Sequence, residues 1–529
     1  LRRFPWQIAL AIVVLAAPLS AQLAPVGAPK GTLRFTIGGS FVSADHRLLD
    51  GRRQDYLADF GSPALGSDRF PFLRAVDSVI GEAIGQPAYK VNLGGLKANG
   101  QLTVGTGIIG AALGVTRKLT LFANVPFVTI RVTARLAEDS SSADAGLNPA
   151  HPTLGTGIDQ TRAGQFFNDF GVALNTLDAQ IAGGSYAGDP MLLALAQSIS
   201  ARGARLRAGL ASITNEAGAA SPYLPTATSP AGVALIGAIR ALQDTLANTL
   251  GVTSAFVNQD PVLAGGRLGQ GDVTRFLSDP AGPIDALPLV GAKLSRMGDM
   301  DVGAVYTLVD RFDRLGHRPG GFRFAAQALL RLPTGLRDNP NNLLHLGTGN
   351  GRYELGLSGT ADLGSGAWGA RLTGGYLRRF SALRVRRVTA PDEPFPEATR
   401  LTNVRYKAGD IWQVGARPFF RLARNLAIHG LADYWREATG SASYYRASDA
   451  IPGVPASVLV EQAGRSALVV GGGVSYVGRA VAECQPGHRC GLPIDASWNY
   501  SEVVSATGGR VAQPRTTRIE IRWYQRLWR

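Results

Sequence analysis

The chain has 529 residues and a formal net charge of +15, from 54 Lys and Arg against 39 Asp and Glu. Charged residues make up 18%, below the usual quarter, while Gly reaches 66, well above average usage. That length admits several ordinary domains or one large barrel. No later run of ~18 apolar residues occurs, which excludes a transmembrane helix beyond the N-terminus.

The first segment reads as a secretory signal. Arg2 and Arg3 supply a positive start, and Ile8 to Leu19 an apolar stretch too short to span a bilayer. Leu19-Ser20-Ala21 then offers a cleavage site before Gln22. The expectation is a signal peptide over 1–21, with an uncleaved anchor as the alternative. An exported chain of mean hydropathy +0.04 without a membrane helix has two destinations, a soluble periplasmic or secreted state or a bacterial outer membrane.

From Gly31 the chain alternates with period two, as strands with two different faces do. The first such segments are 33–42, 100–115 and 119–134, and residues 44–99 between them read as mostly irregular. Residues 22–135 are therefore expected to hold the N-terminal barrel strands with 44–99 as a long loop.

Over 136–297 the period turns helical. Phe166, Phe170, Leu174, Leu177 and Ile181 share one stripe. Asp189-Pro190 opens a second helix carrying Leu192, Leu195, Ile199, Leu206, Leu210 and Ile213. Ser229-Pro230, a good cap and first-turn pair, opens a third with Leu235, Ile239, Leu242 and Leu246. Those stripes must be buried, either in a self-packed helical bundle or as a plug or lid against a barrel mouth.

Alternation resumes over 298–529, at 299–311, 321–332, 353–363, 368–380, 405–421, 426–440, 464–478, more weakly at 492–503, and at 518–529. In the last, Ile519, Ile521, Trp523 and Leu527 oppose Arg518, Glu520, Arg522, Tyr524 and Arg526. In 321–332, Phe322, Phe324 and Leu330 oppose Arg323, Gln327 and Arg331. The total is twelve strands, an even number as bacterial outer-membrane barrels require. Short connections (116–118, 364–367, 422–425) alternate with long ones (334–350, 382–403, 441–463), as periplasmic turns and external loops do. Aromatic residues near segment ends, among them Phe35, Phe41, Phe127, Tyr306, Trp368, Tyr376, Phe420, Tyr434 and Trp523, are placed for interfacial girdles.

The fold expected is thus an all-β transmembrane barrel of about 12 antiparallel strands with an inserted α-helical subdomain. With the apolar face toward lipid, the lumen-facing candidates are Arg323, Arg331, Arg371, Arg405, Arg417, Arg421, Arg518, Arg522, Glu354 and Glu520. Arg34, Lys407, Arg526, Asp362, Asp433 and Glu437 share that face. Two readings follow: a basic surplus that draws anions toward a constriction, or a ladder of Arg–carboxylate bridges that fills the interior. The pI of about 10.1 fits nucleic acid in isolation. Export and the interleaving of charge with a lipid-compatible face argue against it, and no nucleic-acid partner is expected.

Cys484 and Cys490, the two cysteines, flank a Pro-Gly turn in CQPGHRC. In an exported protein they read as a local disulfide. A metal site with His488 is the alternative, one ligand short of the usual four. No nucleophile elbow, zinc-protease motif or P-loop occurs. Asp299 and Asp301 in GDMDVG lack the later acids of a calcium loop and read as a strand start. His429 and Asp433 share the inward phase, either as a functional pair or as solvated side chains. No catalytic residue, cofactor or metal is expected, and the chain is not expected to be an enzyme.

The run Gly298-Asp299-Met300-Asp301-Val302-Gly303, with Leu332-Pro333-Thr334-Gly335 and Leu346-Gly347-Thr348-Gly349, resembles the MetA-pathway phenol-degradation family. The resemblance covers about 85 residues, 298 to 381, and implies an outer-membrane barrel of the FadL-like transporter type. The expected function is passive or gated passage of small hydrophobic or anionic molecules. The alternative is a closed structural or surface-interaction barrel whose helices bind a partner. Expected partners are outer-membrane lipid and lipopolysaccharide, the barrel-assembly machinery and a small-molecule solute.

Overall fold

The computed structural model describes residues 26–528 apart from 270, 281, 290, 314–319, 345, 390–392, 424, 462 and 479–492. The signal-peptide expectation for 1–21 and the Cys484–Cys490 expectation both lie outside the described residues. Twelve long strands carry the fold. The first six are β1 (Thr32–Ala44), β2 (Gly95–Gly114), β3 (Leu119–Asp139), β4 (Met300–Asp313), β5 (Gly320–Leu332) and β6 (Glu354–Ser365). The rest are β7 (Trp368–Arg379), β8 (Ile411–Arg421), β9 (Leu426–Glu437), β10 (Arg465–Val477), β11 (Ile494–Thr507) and β12 (Arg515–Arg526).

Each strand runs antiparallel beside its sequence neighbour, and β1 pairs β12 from Thr32↔Arg526 to Ser43↔Arg515. The sheet therefore closes into an up-and-down ring, which removes the unpaired edges of an open sheet. Each of the twelve segments expected from period two contributes a strand to this ring, 405–421 only in its second part. Closure needs a tight entry: Gly31 sits at φ 68°, where a Cβ would stand 2.2 Å from the Trp528 carbonyl oxygen. Gly366, at φ 60°, allows a two-residue turn between Ser365 and Trp368.

Alternation sorts the faces. Along β12, Ile519, Ile521 and Trp523 are about half exposed, while Glu520, Arg522 and Tyr524 are each 4% exposed. Exposed apolar residues mark the outer wall throughout, including Ile37, Ile109, Leu121, Leu357 and Val414. Aromatic side chains band both ends of this belt. Phe35 meets Trp523 and Trp368 meets Phe420 near the termini, with centroids 6.2 and 4.7 Å apart. Tyr376 meets Trp412 at 4.4 Å toward the other end, where Phe41 and Tyr434 are also exposed. Phe35 and Phe41 lie six residues apart, about 20 Å of strand, close to the apolar height of such barrels.

Two bulges reset the alternation. The β4–β5 register slips opposite Phe324/Ala325 and the β10–β11 register at Leu468/Val469. Asp310 thereby pairs across from Arg323 instead of falling on the outer face.

With β1 and β12 fixing the direction, the connections 45–94, 140–299, 333–353, 380–410 and 438–464 leave the end opposite the termini. These connections fold together as a cap. Its helices are α1 (Arg74–Ala83), α2 (Gly157–Ala182), α3 (Pro190–Thr214), α4 (Pro230–Asp244) and α5 (Asp272–Leu277). The Asp189 side chain accepts from the Met191 and Leu192 N–H groups, and the Ser229 hydroxyl from Gly232. Phe166, Phe170, Leu174, Leu177, Leu235 and Ile239 are buried as their spacing required. Phe170 stacks on Phe256 with centroids 4.1 Å apart.

The segment 44–99 departs from expectation. It carries two short strands (His46–Leu49, Arg52–Asp55) and α1, and its Phe60, Phe70 and Ile80 are fully buried in the cap. The self-packed bundle and the lid are combined here, because one core runs from α1–α4 onto the inner face of the extended β2–β3 hairpin through Leu102, Val104, Ile130 and Val132. Loop residues Leu343, Leu344 and Phe395 enter the same core.

The segment expected as one strand over 405–421 is two. Residues Leu401–Lys407 leave the ring and pair with Ala382–Arg387 and Ser441–Tyr444 in a separate three-stranded sheet. The break falls at Ala408-Gly409-Asp410, where a Cβ on Gly409 would collide with the Ala438 carbonyl oxygen.

Candidate functional site

The inner wall of the ring is where charge concentrates, since alternation delivers every second side chain there. Register then decides which charges meet. Across β4 to β9 one row runs Asp310, Arg323, Asp362, Arg371, Arg417, Asp433. Arg323 reaches Asp310 at 2.8 Å and Asp362 at 3.7 Å, Arg371 reaches Asp362 at 2.6 Å, and Arg417 reaches Asp433 at 3.2 Å. Arg371 and Arg417 lie directly opposite each other, so each like charge leans on a carboxylate to its far side.

A second row lies nearer the cap. Arg331 bridges Asp301 (2.8 Å) and Glu354 (3.1 Å), Arg352 also reaches Glu354 (3.1 Å), and Glu437 joins Arg379 and Arg465 at 2.5 and 2.8 Å. On β12, Glu520 is shared by Arg522 (2.7 Å) and Arg518 (3.3 Å). Buried guanidinium–carboxylate forks of this kind hold geometry by paired, charge-assisted hydrogen bonds.

Of the lumen-facing candidates, Arg323, Arg331, Arg371, Arg417, Arg522, Glu354 and Glu520 are buried on the inner wall, and Arg518 is half-buried there. Arg421 points inward at the terminal end, over the rings of Phe312 (5.3 Å) and Phe419 (5.5 Å), and donates to the Gly366 carbonyl. Arg405 is a correction: it is exposed on the outer three-stranded sheet, because the chain leaves the ring before residue 411. Lys407 shares that sheet, and Arg526 is exposed at the rim. His429 and Asp433 both face inward without pairing. His429 shares a hydrogen bond with Asn499 (2.7 Å), while Asp433 takes Arg417.

Sequence reasoning missed Asp301, Asp310, Arg352, Arg379 and Arg465. Arg379 stands in phase with Arg371 on one strand, so its signal was present; Asp310 is hidden by a bulge.

The glycine-rich motifs meet in one place. The Asp299 carboxylate accepts from the N–H groups of Gly335 (2.9 Å) and Asn350 (2.6 Å). The Thr334 and Thr348 hydroxyls donate to the carbonyls of Gly298 (2.9 Å) and Met297 (2.8 Å). GDMD, LPTG and LGTG thus form a clasp at the rim, where the short strand Ala292–Met297 passes into β4. Asp299 acts at a strand start and Asp301 turns in to Arg331.

Between β1, β2, β3, β4 and β12 the interior leaves a cavity of about 110 Å³. Arg34, Thr106, Asp301, Glu520, Arg518 and Arg522 line it together with the apolar Ile108, Phe122 and Val305. The row from Asp310 to Asp433 is balanced, the row nearer the cap sets four arginines against three carboxylates, and Arg34, Arg518 and Arg522 on β1 and β12 face Glu520 and the buried Asp495, which pairs across from Arg522.

A closed ring with an apolar, aromatic-banded exterior and a charged interior is a transmembrane β-barrel of the outer-membrane type. No family model and no curated protein matches the chain. Solved structures that it resembles include an outer-membrane channel from Pseudomonas putida F1, at 8% identity over 96% of this chain and 98% of that one, TM-score 0.41. The monoaromatic hydrocarbon channel TodX, as a deletion mutant, matches at 10% identity over 94% and 91%, TM-score 0.29. The β domain of the Bordetella autotransporter BrkA matches at 8% over 93% and 99%, TM-score 0.31. Similarity at this level assigns nothing to this chain, and the barrel stands on its strand pairing.

Proposed function

We propose that this protein sits in a bacterial outer membrane and passes small hydrophobic or anionic solutes through its lumen without catalysis, gated by the cap. The observation that carries this reading is the closed ring with a charged, cavity-bearing interior under a folded cap. Passage is by diffusion through the lumen, where inward-facing arginines outnumber carboxylates and, in a low-dielectric surround, favour anions. The gate is the cap's hold on the β7–β8 loop. Arg387 donates to the Asp285 (2.7 Å) and Pro396 (3.0 Å) carbonyls and also to that of Ile284. Lipopolysaccharide and membrane lipid are the partners of the outer wall, and the barrel-assembly machinery that of the folding chain.

Single-channel recording of refolded full-length protein in planar bilayers tests this. Expected are anion-selective events whose open probability rises severalfold in R387A. Silence in both proteins, with liposomes that stay closed to neutral solutes, overturns it. The balanced rows of ion pairs and the cap core favour one competing reading, a closed barrel whose cap binds a partner, and that silence is its prediction.

A further inference from the structure

The outer face of the β2–β3 hairpin changes character toward the cap. Lower down, Leu121 and Phe127 on β3 face outward and are about half exposed. Higher up, the same alternation turns out Arg131 and Arg135 on β3 and Lys97 on β2, all exposed. The short strand Ala292–Met297 runs beside β3, setting Met297 opposite Phe127 and the exposed Lys293 directly opposite Arg131. The cap core covers the inner face of this stretch through Leu102, Ile130 and Val132. The four cations therefore stand on the side that the cap leaves open.

Like charges directly opposite in a sheet destabilise it, yet Arg131 and Lys293 share one rung. None of the four has a carboxylate within ion-pair reach among the described residues, whereas Arg331 and Arg371 on the inner wall are both bridged. Asp139, the outward acid at the hairpin tip, accepts from the Ser141 N–H (3.0 Å). Height is the second observation. Arg131 lies four residues past Phe127, about 13 Å of strand and about 10 Å along the membrane normal at the usual tilt. That is headgroup depth, beyond the apolar band that Phe127 closes.

Resting on the outer-membrane placement above, we infer that this face is a docking surface for lipopolysaccharide. Its phosphates meet Arg131, Lys293, Arg135 and Lys97, and its acyl chains lie against Phe127 and Met297. A phosphate between Arg131 and Lys293 turns their repulsion into a shared, charge-assisted bridge. A phospholipid with one phosphate serves that rung alone, whereas the two phosphates of lipid A serve the rung and Arg135 together.

The probe is lipid A with both phosphates, compared with its monophosphoryl form carrying the same acyl chains. Each is titrated into refolded full-length protein in zwitterionic micelles, and bound copies are counted by native mass spectrometry. Expected is saturable retention, at least about threefold tighter for the bisphosphate. A basic side chain near a lipid surface contributes about 1 kcal/mol, so R131Q/K293Q should weaken retention about tenfold or more, and R135Q alone about threefold. Without lipid A, the urea midpoint of R131Q/K293Q should equal or exceed that of the unsubstituted protein, because a like-charge rung is gone. R117Q/K118Q removes the same charge from the exposed turn at the opposite end and should change retention less than about twofold. Equal retention of the two lipid A forms, or equal losses in the two double variants, overturns the surface. Recovery of the chain in the outer-membrane fraction without phosphate-dependent retention sinks the surface and leaves the placement standing, whereas recovery elsewhere sinks the placement itself.

Discussion

Replacing Asp362 by Asn probes whether the lumen is a packed network or a water-filled tube. The Asp362 carboxylate takes two bonds from Arg371, at 2.6 and 3.0 Å, and faces Arg323 at 3.7 Å. Side-chain exposures are 1% for Arg371 and 7% for Asp362, so bulk water does not screen the pair. Removing one member of a buried pair costs about 3–5 kcal/mol, because the other charge is stranded. Asp310 still serves Arg323, so the loss should fall near the low end, about 3 kcal/mol. In D362N/R371Q both charges go, and at least half of that loss should return. Urea unfolding in micelles, followed by tryptophan fluorescence with heat-modifiability as a check on folding, measures both. A D362N loss below about 1 kcal/mol would refute the reasoning, since a solvated Arg371 needs no partner.

Two further outcomes concern the cap. Phe395 is fully buried and stacks on Phe70 at 5.1 Å, so F395A should cost about 3–5 kcal/mol of local stability. Limited proteolysis should then cut residues 44–99 much faster while the ring stays heat-modifiable, and unchanged cleavage would count against a shared core. Burial pushes the Asp144 carboxyl above its ordinary range, although it accepts from the Asn92 N–H (2.8 Å) and the Tyr89 hydroxyl (3.3 Å). A raised folded-state value contributes stability that is full below the unfolded value of about 4 and lost as pH rises through the folded one. The cap's urea midpoint should therefore drop between pH 4 and 7, and D144N should flatten that slope; an identical slope in D144N would remove Asp144 as its source.

The strand list, the sign of each face and the three long helices were legible because each is a local property. Period two places Ile519 and Ile521 opposite Glu520 and Arg522 whatever the neighbours are, and Asp189 and Ser229 cap their helices within a few residues of chain. What the inward charges do was not legible. Arg371 meets Asp362 and sits against Arg417 only through the register of β6, β7 and β8, strands joined by a two-residue turn and a long loop. Register is set by pairing across strands, and the bulge near Leu308 turns Asp310 inward against its local phase. Arg405 shows the opposite failure: its alternation is regular, but the chain leaves the ring at Gly409, where Ala438 comes too close for any side chain. The fate of 44–99 also needed the tertiary structure, because Phe60 packs on Phe395 and Phe70 on both Phe276 and Phe395, more than two hundred residues away in the chain. By itself the sequence determined a barrel, apolar outside and charged within, because those features repeat along the backbone. Only the closed ring decided that most of its arginines are neutralised, because their carboxylates come from strands set beside them by register.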